Sequence, residues 1–251
     1  MINLASHGEP IRVNKYLSEA GVCSRREADR LMEQNRIRIN GKPAVMGQKI
    51  YPKDEVFVDG KRVEPEQERI VIALNKPEGI ECTTSKENPD NVVDFVNLKK
   101  RVYPIGRLDK NSCGLLLLTN DNKVATEVMS AANYHEKEYL VTLNHPVTDA
   151  FVKQMSGGVV IDQFDRNKKK FQVKTRACKV EKVDEKTFSI ILTQGFHRQI
   201  RRMCEKLGYR VVTLKRIRIM QVKLGDIKEG SFRYLSQKEI DSLLKKETGI
   251  R

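Results

Sequence analysis

Gly106-Arg107-Leu108-Asp109-Lys110, followed by Leu115-Leu116-Leu117-Leu118, is the stretch on which the reading of the chain turns. The four leucines form a short, continuous apolar run, the pattern of a strand buried on both faces. Ahead of them a single carboxylate, Asp109, sits between the bases Arg107 and Lys110. Gly106 and Gly114 bracket this knot, so the backbone there can turn tightly or approach a ligand closely. Flanking positive charge favours the ionised form of a carboxylate. Such a group is suited to attack an electrophile or to stabilise positive charge, not to donate a proton. The competing reading of the same pattern is a surface turn with a structural ion pair.

The chain has 251 residues, which suits one large domain or two unequal ones. Its hydrophobic fraction of 39% is enough for a real core. Lys and Arg number 47 against 33 Asp and Glu, and the resulting net charge of +14 implies a polyanionic partner. No apolar run reaches the roughly 18 residues that a membrane span requires. The first eight residues lack a basic region followed by an apolar one, so they do not read as a secretory leader. Cys23, Cys82, Cys113, Cys178 and Cys204 are odd in number, far apart and without Cys-x-x-Cys spacing. That pattern argues against a disulfide framework and a zinc site, and it fits a reducing cytoplasm. The four histidines are equally scattered, and with neither a ligand cluster nor a phosphate-binding loop the sequence gives no sign of a metal or a cofactor.

Residues 11–63 read as a module of their own. Val13, Leu17 and Ala20 recur at helical spacing up to Gly21. Ser24-Arg25-Arg26-Glu27 has the form of a capping box, and Ala28, Leu31 and Met32 give the helix behind it one apolar face. Arg26 and Arg30, four apart, share the outer face. Ile37 and Ile39 alternate with Arg36 and Arg38 and end at Asn40-Gly41, a hairpin signal. Val56 and Val58 run into Asp59-Gly60, a second one. Two short helices and small strands, with arginines on the second helix, resemble the S4 domain, an RNA-binding module also called the alpha-L motif. The resemblance implies RNA contacts from Arg25, Arg26, Arg30 and Arg38. The rival reading is a helical cap with solvated arginines.

Residues 64–69, acidic and proline-containing, read as a linker, which leaves 70–251 as the second domain. Ile70–Leu74 is a buried strand stopped by Asn75-Lys76-Pro77-Glu78-Gly79, and 82–91 a polar, mobile loop. A strand is predicted around Tyr139–Leu143 and another over Phe188–Leu192, with Thr148 capping a helix between them. Lys168-Lys169-Lys170 reads as a solvated hairpin turn. A helix opens within Gly195–Met203 and ends at Gly208. Residues 195–223 hold nine Lys or Arg and one acid, the densest basic stretch in the chain. Interleaved with Val211, Leu214, Ile217 and Ile219, it suits a phosphate-tracking surface.

Four segments of this second domain resemble the pseudouridine synthases, in the branch that modifies ribosomal RNA and carries an S4 domain in front. They are Asn75–Gly79, Gly106–Asp109 with the Leu115–Asn120 tail, Lys137–Val141 and Gly195–Met203. Val93–Asn97 and Arg202–Glu205 look closest to the F-type large-subunit branch, which commonly carries Asn or Arg-Asn where this chain has Phe196-His197. The resemblance implies an α+β architecture: the S4 module, then a catalytic domain with a mixed, mostly antiparallel sheet and flanking helices. It implies a catalytic Asp109, a Tyr139 that stacks on the target uracil and handles the proton leaving C5, and an Arg201 that pairs with Asp109. Lys76, Arg107, Arg198 and Arg202 would contact RNA. Each has a plainer reading: Tyr139 as core packing, Arg201 as a phosphate contact, Arg107 as a structural residue, Lys76 as a solvated turn. The substrate would be large-subunit (23S) ribosomal RNA, with a transfer RNA or small-subunit ribosomal RNA as the alternatives, and the protein a monomer. A non-catalytic RNA-binding assembly factor with the same two modules is the main rival. A glycoside hydrolase is a weaker one, because it would usually need two carboxylates flanking the bond.

Overall fold

A computed structural model describes residues 9–64, 68–85, 87–130, 134–165 and 167–245. The segment 1–8 and positions 65–67 of the expected linker lie outside the described residues. The chain divides into two compact units. The first gathers the described residues up to Ile70 with Asn97–Tyr103 and Thr119–Asn122. The second holds Val71–Val96, Pro104–Leu118 and the remainder from Lys123.

In the first unit β1 (Ile11–Arg12) leads into α1 (Val13–Glu19), and α2 (Arg25–Glu33) follows. The Ser24 hydroxyl accepts the Glu27 amide at 3.1 Å, which caps α2 as its sequence predicts. Ala28, Leu31 and Met32 are buried while Arg25, Arg26 and Arg30 stay exposed, so the helix is amphipathic as read. The strands β2 (Ile37–Ile39), β3 (Lys42–Pro43), β4 (Lys49–Ile50), β5 (Val56–Val58) and β6 (Lys61–Arg62) come next. Four of them form a sheet in the order β3-β2-β5-β6, and β1 pairs with β4. Asn40-Gly41 and Asp59-Gly60 turn the two hairpins with positive φ at both residues, the geometry those dipeptides favour. Tyr16 closes the core, its hydroxyl donating to the Val63 carbonyl at 3.1 Å. The later segments belong here through polar contacts. The Asn122 amide donates to Glu19 at 3.0 Å, and Asn120 accepts the Ile70 amide at 2.8 Å.

The rest of the chain builds one large sheet and its helices. Its elements are β7 (Val71–Lys76), α3 (Val92–Val96), β8 (Tyr103–Ile105), β9 (Cys113–Thr119), α4 (Asn122–Met129), β10 (Lys137–Leu143), α5 (Asp149–Ser156), β11 (Val160–Phe164), β12 (Lys170–Lys174), β13 (Lys179–Lys182), β14 (Thr187–Leu192), α6 (Gln199–Lys206), β15 (Val211–Ile219), β16 (Val222–Lys223), β17 (Phe232–Tyr234) and α7 (Gln237–Leu244). Among the described residues the sheet has nine strands in the order β13-β14-β10-β15-β9-β7-β17, with β16 on β15 and β8 on β9. The pairs β13/β14, β14/β10, β10/β15 and β7/β17 are antiparallel, and β15 meets β9 in parallel, so the sheet is mixed as expected. The strands β11 and β12 form a separate hairpin around the lysine run. One core cluster packs Phe151, Phe188, Ile190, Ile200 and Met203 together, with the Phe151 and Phe188 rings 5.2 Å apart.

Leu115–Leu118 are fully buried in β9, which explains their unbroken apolar run. Gly114 is required at the parallel junction: a Cβ there would lie 2.3 Å from the Arg216 carbonyl oxygen, and its φ is +97°. Gly114→Ala is therefore expected to destabilise the protein by about 3 kcal/mol or more. Urea unfolding measures this, and a wild-type midpoint would contradict it.

Several described residues of the polar stretch 82–91 are bonded within the fold. Glu81 bridges Asn91, the Asn91 side chain donates to the Asn88 carbonyl at 2.8 Å and to Asp94 at 2.7 Å, and Asp90 pairs with Lys110 at 2.8 Å. Side-chain amides supply the partners that a helix or strand would otherwise provide. Among the described residues no helix is long and apolar enough to cross a membrane.

Candidate active site

Asp109 stands on the loop between β8 and β9. Its carbonyl accepts the Ser112 amide at 3.0 Å, closing a four-residue turn, and the Leu108 amide before it donates to the Cys82 thiol at 3.3 Å. The Gly79 amide donates to the Lys110 carbonyl at 2.9 Å, which ties the loop to the turn after β7. That turn is built by Lys76. The side chain of Lys76 is fully buried, and its ammonium donates to the Pro77 and Ile80 carbonyls at 2.7 Å each. Burial pushes this ammonium below its ordinary pKa. The expected RNA contact from Lys76 is thus corrected: its side chain is buried and its ammonium is bonded within the turn after β7.

The cation facing Asp109 is Arg198, with its Nη1 3.6 Å from the Asp109 carboxylate and 3.5 Å from the Asn111 side-chain oxygen. Arg198 adopts a left-handed φ of 53° at the start of α6. A non-glycine residue held in that region stores strain, a common property of functional positions. Arg201, expected as the partner of Asp109, is 7% exposed and instead grips the loop itself. Its Nη2 donates to the Asn111 carbonyl at 2.6 Å and to the Ser112 hydroxyl at 3.3 Å, and its Nη1 to the Val211 carbonyl at 3.3 Å. Burial pushes the Arg201 guanidinium down, the Arg198 cation adds to this, and Asp109 opposes it. The pairing expected for Arg201 is thus corrected in favour of Arg198, three residues earlier and just outside α6.

Arg202 is turned away from the loop. It donates to the Asp162 carbonyl in β11 at 2.8 Å and reaches the His197 ring at 3.3 Å. Arg107 is exposed and makes no side-chain hydrogen bond or ion pair among the described residues. Tyr139 stands on β10 beside a register shift after Glu138, opposite Arg216 on β15, and its ring packs partly against the core cluster. Tyr139 is thus half-buried, with part of its surface against the core.

Sequence reasoning misses Arg216. It is 3% exposed, and its Nε donates to the Leu115 carbonyl at 2.7 Å. In sequence it is one more basic residue in a run that alternates charge with apolar anchors, and nothing local marks it as buried. Asn111 and Ser112, which Arg201 grips, carry no local signal either.

Residues 70–206 match the RNA pseudouridylate synthase family, and residues 11–50 match the S4 domain. The chain belongs to the RNA pseudouridylate synthase family. It is an RNA pseudouridine synthase with an S4 domain in front. It is 48% identical to the dual-specificity RNA pseudouridine synthase RluF of Escherichia coli strain K12, over 94% of this chain and 79% of that protein. It is 32% identical to the ribosomal large subunit pseudouridine synthase B of Bacillus subtilis, over 92% of this chain and 95% of that one. A crystal structure of a pseudouridylate synthase superimposes with a TM-score of 0.65 at 29% identity, covering 93% of this chain and 99% of that one. The synthase family isomerises uridine in RNA, and the Asp109 loop, the start of α6 and β10 all fall within the matched segment.

Proposed function

We propose that this synthase isomerises a specific uridine of large-subunit ribosomal RNA, with Asp109 as the reacting carboxylate. The observation that carries the assignment is a single carboxylate on a loop held by buried main-chain contacts, with the Arg198 cation 3.6 Å away. Isomerisation breaks the bond between N1 and the ribose, rotates the base, and rejoins it through C5. The C5 proton is lost and N1 gains one, so atoms balance and nothing is oxidised. Asp109 either attacks the sugar carbon or takes a sugar proton to give a glycal-like intermediate. Tyr139 offers a ring for stacking and a hydroxyl for the C5 proton. The target base must leave its stack, and the exposed Arg107, two positions before Asp109, is placed to hold the RNA while it does. Asp109 alone would repel RNA, so a carboxylate at this place has no use in a pure binding factor.

Residues 1–63 serve in this reading as the RNA anchor, and 70–251 carry out catalysis. The protein acts as a monomer in the cytoplasm, where five free cysteines are stable. A second RNA substrate is favoured by the dual-specificity name of the RluF relative. Pseudouridine maps of total RNA from cells with and without this gene test the assignment. The expected result is a missing signal in large-subunit ribosomal RNA; a change confined to small-subunit RNA would overturn that choice.

Arg25 and Arg26 are exposed and make no ion pair among the described residues, whereas Arg36 is bound to Asp59 at 2.6 Å and Arg30 to Glu27 at 3.2 Å. Phosphate contacts should therefore come first from Arg25 and Arg26. Replacing both with Glu in the full chain is expected to weaken RNA binding. The slope of log affinity against log salt should flatten by about one for each phosphate left without its cation. Filter binding across ionic strength measures this, and an unchanged slope would remove these arginines from the interface.

A further inference from the structure

Arg216 is a buried cation that the chemistry above leaves unused. On β15 it stands in register with Gly114 of β9 on one side and Tyr139 of β10 on the other. Its Nε donates to the Leu115 carbonyl at 2.7 Å, and its Nη1 reaches the Arg107 carbonyl at 3.5 Å. These two carbonyls lie on either side of Asp109, at the two ends of the segment that presents it. Main-chain pairing between β15 and β9 is confined to Lys215 with Cys113 and Arg216 with Gly114, so the ladder holds only the exit of the loop. Arg201 holds its middle, at Asn111 and Ser112. The planar fork of Arg216 reaches the entrance and the exit together, which a point charge on a flexible stem does not reproduce. Its Nη2 is buried with no partner, so this guanidinium is kept at the cost of an idle donor. A residue kept only for packing would be served as well by an apolar side chain of similar length.

We propose that Arg216 is a positioning residue for the isomerisation: it clamps both ends of the Asp109 segment and sets where that carboxylate stands relative to Tyr139, its own strand neighbour. The proposal rests on Asp109 as the reacting group. A misplacement on the scale of an ångström costs roughly 100-fold in rate even when the displaced group is remote from the chemistry.

The test compares full-length wild type, Arg216→Met and Arg216→Lys, measuring kcat, KM and RNA Kd, with amide hydrogen exchange as the structural readout. Arg216→Met should lower kcat by roughly 100-fold while KM and Kd stay within about twofold. Arg216→Lys can reach one carbonyl but not both, and should recover only part of the loss. Exchange should rise at Leu108 and Ser112, whose amides are bonded to Cys82 and within the loop, and not along the β10–β14 ladder. A wild-type kcat in Arg216→Met would overturn the proposal. So would exchange raised equally through β10 and β14, or loss of the folded state in both variants, since either makes Arg216 a residue of stability alone. Turnover by Asp109→Asn would defeat the catalytic reading itself. An inactive Asp109→Asn beside a fully active Arg216→Met would defeat only the role of Arg216.

Discussion

Asp109→Asn is expected to lower turnover by more than about 10⁴-fold while RNA binding stays near wild type. The substitution keeps the shape of the side chain and the main-chain contacts of the loop, which involve the Asp109 carbonyl and not its carboxylate. It removes the negative charge that faces Arg198. A carboxylate adds nothing to phosphate binding, so affinity should hold or improve slightly. Tritium release from C5-labelled uridine in a single-turnover experiment, alongside filter binding, separates the two effects. Loss of binding in parallel with turnover would mean that the charge shapes the site and does not react.

Tyr139→Phe divides the ring from the hydroxyl. The ring supplies a stacking face worth roughly 1–3 kcal/mol per base, and Phe retains it. Part of that ring also packs against the core cluster, where Phe fits without loss. Binding and stability should therefore remain normal. Turnover should fall by roughly 10²–10⁴-fold, the usual contribution of a positioned acid–base group. Rate and affinity for the same RNA check this. Normal turnover would leave the hydroxyl without a role and hand the C5 proton to another group.

The parts of this molecule visible in the sequence are those written in local patterns. Leu115–Leu118 announce a buried strand, Ser24 and Glu27 announce a helix start, and Asn40-Gly41 announces a hairpin, because each is decided within a few residues. Asp109 is legible as an isolated acid among bases. Its surroundings are not, because they depend on contacts across long separations. Arg216 reaches Leu115 across 101 positions, and Arg201 reaches Asn111 across 90. Lys76 is different: its carbonyl partners at Pro77 and Ile80 are near in sequence, yet nothing in the local pattern marks its side chain as buried. Arg198 meets Asp109 from the left-handed position just before α6, a backbone conformation that no side-chain pattern encodes.

The most direct test replaces the chromosomal gene with the Asp109→Asn form and maps pseudouridines across the large-subunit ribosomal RNA of those cells. The account predicts that the uridine modified in wild-type cells stays unmodified, although the variant protein is folded and still binds that RNA. A wild-type pseudouridine map in cells whose sole copy carries Asp109→Asn would contradict it.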